Sequence, residues 1–444
     1  MDVSYPTFIP QTTMRFNNAD ELSRRQFMRN IAKSALGVTI APMLDHSVAS
    51  AADFIPNRPR TAKSVIFLMM SGGMSHLDTL DVMGKKESVL GKTKAIPTSV
   101  TGMQLSENLP KTAKLMHHIA LMNGMSTTQG AHEQGQYLMQ RSYIMRGTIV
   151  HPAMGSWVVR LAGKRNNNLP GFVAVSTDAN SAAGGFMGAK FSGVPIGEPG
   201  QGLQDSMRPG TINEEDFNKR LKLADALNTQ FHTQVNNQSI REHKGLYDDA
   251  LRLMRCEDLK AFDVKKEPTE VQDLYGKSRF GQGCMLARRL VEHGVRYAQV
   301  TLGGWDTHYD NFTAVPARAK DLDDGLSALL ADLHRRDMLQ DTLVALGTEF
   351  GRTPEIVAEH QDGRDHFPQA FSCLMAGGGI KGGIFHGKKD DKGGKVVEGM
   401  TSPQDFNATI AYALGLPVDQ VIISPSGRPF TIADKGKPVV ELFS

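Results

Sequence analysis

Cysteine is scarce in this 444-residue chain, and its scarcity excludes two architectures. Cys256, Cys284 and Cys373 are odd in number, scattered, and form no CxxC pair. Neither a disulfide framework nor a zinc ribbon fits that pattern, so three packed thiols are expected. Charge of one sign is equally lacking. The formal net charge is only +3, and no basic stripe interleaves with aromatics, which argues against a nucleic-acid partner. Long apolar runs, internal repeats and low-complexity tracts are missing too. The remaining composition, 40% hydrophobic and 22% charged, is that of a globular chain long enough for one large domain or two ordinary ones.

The amino-terminal stretch has its own pattern. Arg24 and Arg25 stand side by side, and the short apolar run Ile31 to Leu44 follows, too short to span a hydrocarbon core of ~30 Å comfortably. Small residues follow, spaced as A-x-A at Ala49 and Ala51. A charged start, a short apolar stretch and a small-residue exit make a signal peptide over residues 1–52. The paired arginines resemble a twin-arginine leader, which exports folded proteins. The expected product is a mature protein without a membrane span, periplasmic or extracellular. A helix packed on the core is the competing reading.

Strand and helix signals then alternate. "KSVIFLMMSGG" reads as a buried strand stopped by Ser71-Gly72-Gly73, and "HIALMNGMS" and "GFVAVS" read as further strands. The pattern around residues 143–163 is helical. Residues from about 190 to 275 are polar and helix-like, as expected of a helical insertion outside the core sheet. "RFGQGCMLARRLVEHG" reads as a helix closed by Gly294, then "VRYAQVTL" as a strand. A long helix with Pro316 near its start and leucines at spacings of three and four leads to the strand "TLVALG", and "FSCLMAGGG" supplies another. The β-α-β order predicts an α/β fold with a mostly parallel sheet between helices.

In such sheets ligands gather beyond the carboxyl ends of the strands. Gly303 to His308, Thr348-Glu349 and Ser71 to Asp78 all leave predicted carboxyl ends. The loop holding Asp365 and His366 can fold over the same edge. Asp306, His308, Glu349, Asp365 and His366 would then converge. Mixed carboxylate and imidazole donors suit Zn²⁺, Mn²⁺ or Fe, whereas all-oxygen sets suit Mg²⁺ or Ca²⁺. The bland alternative is a set of salt-bridged loop residues, with Trp305 merely packed.

"VIFLMMSGGMSHLDTLD", "GVRYAQVTLGGWDTH", "TLVALGTEFGRTPEI" and "GRDHFPQAFSCLMAGGGIKGG" resemble the bacterial exported family known as the domain of unknown function 1501, from about residue 60 to the carboxyl terminus. That family is distantly similar to the alkaline phosphatase and sulfatase superfamily, whose members carry metals on the carboxyl edge of a mostly parallel sheet. The resemblance implies an alkaline-phosphatase-like α/β domain over 60–444, with Asp306, His308, Glu349 and His366 as metal ligands. It also marks departures. Glu349-Phe350 stands where the superfamily has Asp-His, and Ser71 where it has a metal-binding Asp, for which Asp78 or His76 could substitute. Ser126, Thr127 and Thr128 are the hydroxyl candidates for the nucleophile, near an expected helix start, and His132 would face the site. The Cys-x-Pro-x-Arg pattern of formylglycine enzymes is missing. One divalent ion is expected rather than two. Arg352, Lys190 and Arg364 are candidates for holding an anion, or ordinary ion pairs. Two functions follow as expectations. One is a metal-dependent hydrolase of phosphate or sulfate esters, acting on a small-molecule or glycan anionic ester. The other is an inactive exported relative that binds a ligand or partner.

Overall fold

The alternation of apolar runs and amphipathic stretches resolves into three layers. The computed structural model describes residues 60–443 apart from 178–179, 205, 207–209 and 235–237, and no side chain within 228–244. The arginine pair and apolar run on which the expected leader rests lie outside the described residues.

Eight strands make the central sheet: β1 (Ser64–Met70), β2 (Ile119–Met125), β3 (Phe172–Val175), β4 (Val194–Ile196), β5 (Tyr297–Leu302), β6 (Thr342–Thr348), β7 (Phe371–Ala376) and β8 (Ile384–His386). Their order is β8-β2-β7-β6-β1-β5-β3-β4. All run in one direction except β7, which is antiparallel to both neighbours. Within β1 side chains alternate between the two faces. Ile66, Leu68 and Met70 join one core, whereas Val65, Phe67 and Met69 join the other. Both faces are covered, which explains why the strand reads as an unbroken apolar run.

Helices α5 (Arg279–Glu292) and α6 (Asn311–Arg335) cover the first face. Helices α2 (Met154–Ala162) and α7 (Pro403–Ala413) cover the second, and α1 (His132–Arg141) adds Met139 there. The α5 helix ends as expected, with Gly294 at φ +95° just past its cap. The two long helices of the insertion are α3 (Glu214–Gln234) and α4 (Gln238–Arg255).

Three expectations change. The helical pattern over 143–163 yields a helix only at α2, since Gly147 and Pro152 interrupt what precedes it. The 190–275 segment is not wholly outside the sheet: Val194–Ile196 pairs with β3 and forms the edge strand. The helix after β2 starts at His132, behind Ala131, and not at Ser126–Thr128. Cys256, Cys284 and Cys373 are all free thiols, and the latter two are buried. No helix among the described residues is long and apolar enough to cross a membrane.

Candidate metal centre

The carboxyl ends of β1, β2, β5 and β6 lie on one edge because these strands run the same way. The reversed β7 begins at that edge, so the segment before it, with Asp365 and His366, arrives there as well. Close contact among the loops is permitted by Gly72, at φ +117°. A Cβ on it would lie 2.6 Å from the Asp306 nitrogen and 2.8 Å from that of Trp305. Thr348 ties β6 to β1 by donating to the Met70 carbonyl at 2.9 Å and accepting from the Met74 N–H at 3.0 Å. Trp305 is fully buried in the core and anchors the strand end that carries Asp306 and His308.

On this edge three imidazoles surround one carboxylate. His132 Nε2 lies 3.3 Å from Asp306 Oδ2, while His308 Nε2 and His366 Nε2 lie 3.2 and 3.3 Å from Asp306 Oδ1. His308 Nε2 and His366 Nε2 are 3.0 Å apart. The opposite nitrogen of each ring faces an oxygen. His132 Nδ1 is 2.9 Å from Glu349 Oε1, His308 Nδ1 is 2.7 Å from Asp365 Oδ1, and His366 Nδ1 is 2.8 Å from the Gly130 carbonyl. A carbonyl or ionised carboxylate only accepts, so each Nδ1 carries a proton, and in the neutral ring Nε2 is the nitrogen left to ligate a cation beside Asp306. This is the outer-shell pattern that orients histidine ligands.

The donor set fits a cation. One donor atom from each of His132, Asp306 and His366 lies within 4.8 Å of the others. His132 Nε2 is buried and makes no hydrogen bond. Inward lone pairs beside a carboxylate repel one another unless a cation or protons lie among them. Mixed nitrogen and oxygen donors match Zn²⁺, Mn²⁺ or Fe. Burial opposes ionisation of Asp306, but the hydrogen bond and charge of Arg352 hold its pKa down to about 2. The Glu349 hydrogen bond raises the pKa of His132, whereas burial lowers that of His366. The Asp306 side chain is 47% exposed, so the cluster is open to ions and substrates from outside.

The remaining residues divide into supports and bystanders. Glu349, expected as a ligand, stands behind His132. Its Oε1 accepts from the Gly72 N–H at 2.7 Å and from Gln136 Nε2 at 3.2 Å as well as from His132, and Thr348 Oγ1 lies 3.2 Å from its Oε2. Phe350 cannot ligate but packs against His132 and His366, with ring centroids 5.1 and 4.5 Å away. Arg352 is buried beneath the site. It donates to the carbonyls of Gly72, Gly73 and Arg364 and reaches Asp306 at 2.5 Å, so Nε and both Nη2 hydrogens are committed. Asp78 lies away from the cluster, paired with Arg364 at 2.9 Å and bonded to Ser75, Thr93 and Asn311. His76 is buried against the Gly393 carbonyl. Lys190 lies over the Phe191 ring. Thr127 Oγ1 accepts from the Gln129 N–H and Thr128 Oγ1 from Gln129 Nε2. Among the described residues no hydrogen bond joins Ser126, Thr127 or Thr128 to the histidines or Asp306.

Sequence reasoning missed Gln136, which donates to both Ser71 Oγ at 2.8 Å and Glu349. Its signal was available: His132 and Gln136 are four apart, hence on one face of α1.

Among curated proteins nothing matches the chain. Among solved structures, it is similar to the lipoteichoic acid synthase LtaP from Listeria monocytogenes, at 10% identity over 81% of this chain and 74% of that one, TM-score 0.37. It is likewise similar to the PsFucS1 sulfatase from Pseudoalteromonas sp., at 12% identity over 84% and 73%, TM-score 0.38. The phosphonate monoester hydrolase SpPMH from Silicibacter pomeroyi gives 12% identity over 85% and 75%, TM-score 0.37. Scores this low carry no inference about activity, which has to come from the site's own residues. Residues 62–443 match the model of the family described as "Protein of unknown function (DUF1501)", and the chain belongs to that family.

Proposed function

We propose that this is an exported, single-cation hydrolase acting on phosphate or sulfate esters. The observation that carries the reading is the set of three Nε2 atoms turned toward Asp306, each fixed from behind by an oxygen on Nδ1. His132, Asp306 and His366 hold the cation. When bound, it would polarise an ester oxygen and favour deprotonation of an attacking hydroxyl or water. Glu349 and the Gly130 carbonyl keep the two ligating rings in the required tautomer. His308 has a different role: Asp365 holds its Nδ1, so its Nε2 is set to accept a proton, as in other base-and-orienter pairs. Phe350 shields one side of the imidazoles from water.

Elemental analysis of protein folded in its native host, alongside a panel of phosphate and sulfate esters, tests the reading. About one equivalent of Zn, Mn or Fe and turnover of at least one ester are expected. The His308→Ala variant should keep its metal and lose turnover. Loss of turnover in a Thr127→Ala/Thr128→Ala double variant would bring in a covalent route. A second reading, the ligand-binding relative, is favoured by Arg352 and Arg364, which are buried and turn most of their donors to groups inside the protein. Metal without turnover on a broad panel would select it. Metal-free protein whose stability ignores added Zn²⁺ or Mn²⁺ would remove both metal readings.

A further inference from the structure

A cavity of about 650 Å³ opens between the loop after β1, strand β2, and the hairpin in which Lys388–Lys389 pairs with Val396–Glu398. None of the metal-centre residues lines it. Its wall has an unusual charge arrangement. The Lys389 side chain is fully buried, and those of Asp81 and Lys85 are each 6% exposed. One carboxylate thus serves two ammonium groups: Asp81 Oδ2 lies 3.1 Å from Lys389 and Oδ1 lies 3.3 Å from Lys85. Lys389 donates a second bond to Ser372 Oγ at 2.8 Å, and Ser372 donates to Asn123 Oδ1 at 3.0 Å.

Around Asp81 the donors outnumber the acceptors. An ammonium has three N–H groups and a primary amide two. Among the described residues Lys85 Nζ has only Asp81, and Asn123 Nδ2 has no partner; both residues line the cavity. The other carboxylates on the wall are engaged elsewhere. Asp391 pairs with Lys86 at 2.7 Å, and Asp390 Oδ1 accepts the N–H groups of Gly394 and Lys395. Lys388 adds a further cation at the exposed rim. A surplus buried charge is costly unless something of opposite sign meets it. Beside these donors stand Met83 and Val397, 38% and 55% exposed, and the ring of Phe385.

We infer that this cavity binds a small organic anion, with its negative head group between Lys85 Nζ and Asn123 Nδ2 and its apolar body against Met83, Phe385 and Val397. The head group is an oxyanion, since the two groups that would meet it, Lys85 Nζ and Asn123 Nδ2, are both donors. The volume exceeds what an inorganic ion fills, and the apolar wall gives the rest of the molecule a place.

Calorimetric titration of the full-length, metal-loaded protein with benzenesulfonate and with inorganic sulfate tests the site. Benzenesulfonate has no ester bond to hydrolyse, so the result does not depend on the proposed activity. Saturable binding is expected, tighter for benzenesulfonate than for sulfate. Lys85→Met should weaken it at least about tenfold while metal content stays unchanged. That variant leaves Asp81 and Lys389 as a balanced pair, so the fold is kept. Val397→Asp, on the exposed rim, should weaken binding without touching the buried charges. No saturation up to ~10 mM would overturn the inference. So would unchanged affinity in both variants, or sulfate binding as tightly as benzenesulfonate.

Discussion

The sharpest test of the proposed metal centre is Glu349→Gln, because it separates a ligand from the support of a ligand. Glutamine keeps the shape of the side chain, and its carbonyl oxygen can still accept from Gly72 N–H and His132 Nδ1, now 2.7 and 2.9 Å from Glu349 Oε1. What disappears is the charge behind His132. Loss of an outer-shell partner of this kind lowers metal affinity about 10–100-fold, or roughly 1.4–2.8 kcal/mol. A competition titration against a zinc-binding dye would measure it. The pH dependence supplies a second readout. The Glu349 hydrogen bond raises the pKa of His132, so in the wild type protons compete with metal from above the ordinary imidazole value, and apparent affinity falls as pH falls. In Glu349→Gln that fall should begin at lower pH. Were Glu349 itself a ligand, the variant would lose binding almost completely. Unchanged affinity and an unchanged pH profile would refute the reasoning outright.

Other expectations follow from the same geometry. Asp78→Asn should leave metal content intact yet destabilise the protein by about 3–5 kcal/mol, since it strands the buried Arg364 guanidinium; chemical denaturation with parallel elemental analysis measures both. Gly72→Ala should cost at least about 2 kcal/mol and lower metal occupancy, because the added Cβ meets backbone of the Asp306 loop; a thermal melt at native metal loading checks it. Burial lowers the pKa of His151 to about 4 and that of His76 to about 3, both from 6.5. Their neutral forms belong to the folded state, so stability is full above pH 6.5 and declines as pH drops toward 4. For His151 the loss is on the order of 3 kcal/mol, and an acid-denaturation series in His151→Phe should show a shallower decline. Replacing Arg24 and Arg25 by lysine should leave unprocessed precursor in the cytoplasm, read by fractionation and immunoblot, and normal processing would contradict a twin-arginine leader.

Much of this arrangement was legible beforehand. Tyr297–Leu302, α6 and Thr342–Thr348 follow the expected β-α-β order, and the carboxyl-edge rule placed Asp306 and His308 on the edge over which the loop with His366 was expected to fold. What was illegible depends on partners distant in sequence. A carboxylate after a strand looks the same whether it faces an ion or a histidine ring; only the Gly72 and His132 contacts give Glu349 its role. An apolar run does not state its direction, so the reversal of β7 could not be read from "FSCLMA". Asp78 and Asp306 are both acids in loops after parallel strands, and a buried arginine far along the chain withdraws the first from the site.

The position of β1 carries a consequence for how the chain is made. It is the central strand, flanked by β5 and β6, although it comes first among the strands. The Met70 carbonyl receives its hydrogen bond from Thr348, 278 residues later. At about 5–20 residues per second, a ribosome needs roughly 15–60 s to supply that partner. Until Tyr297–Leu302 emerges the run Ser64–Met70 has neither neighbour, and until Thr342–Thr348 follows one of its edges stays unpaired. The amino-terminal strand must therefore be kept from pairing with other chains until synthesis is nearly complete, and the last quarter of the protein decides when the first strand can fold.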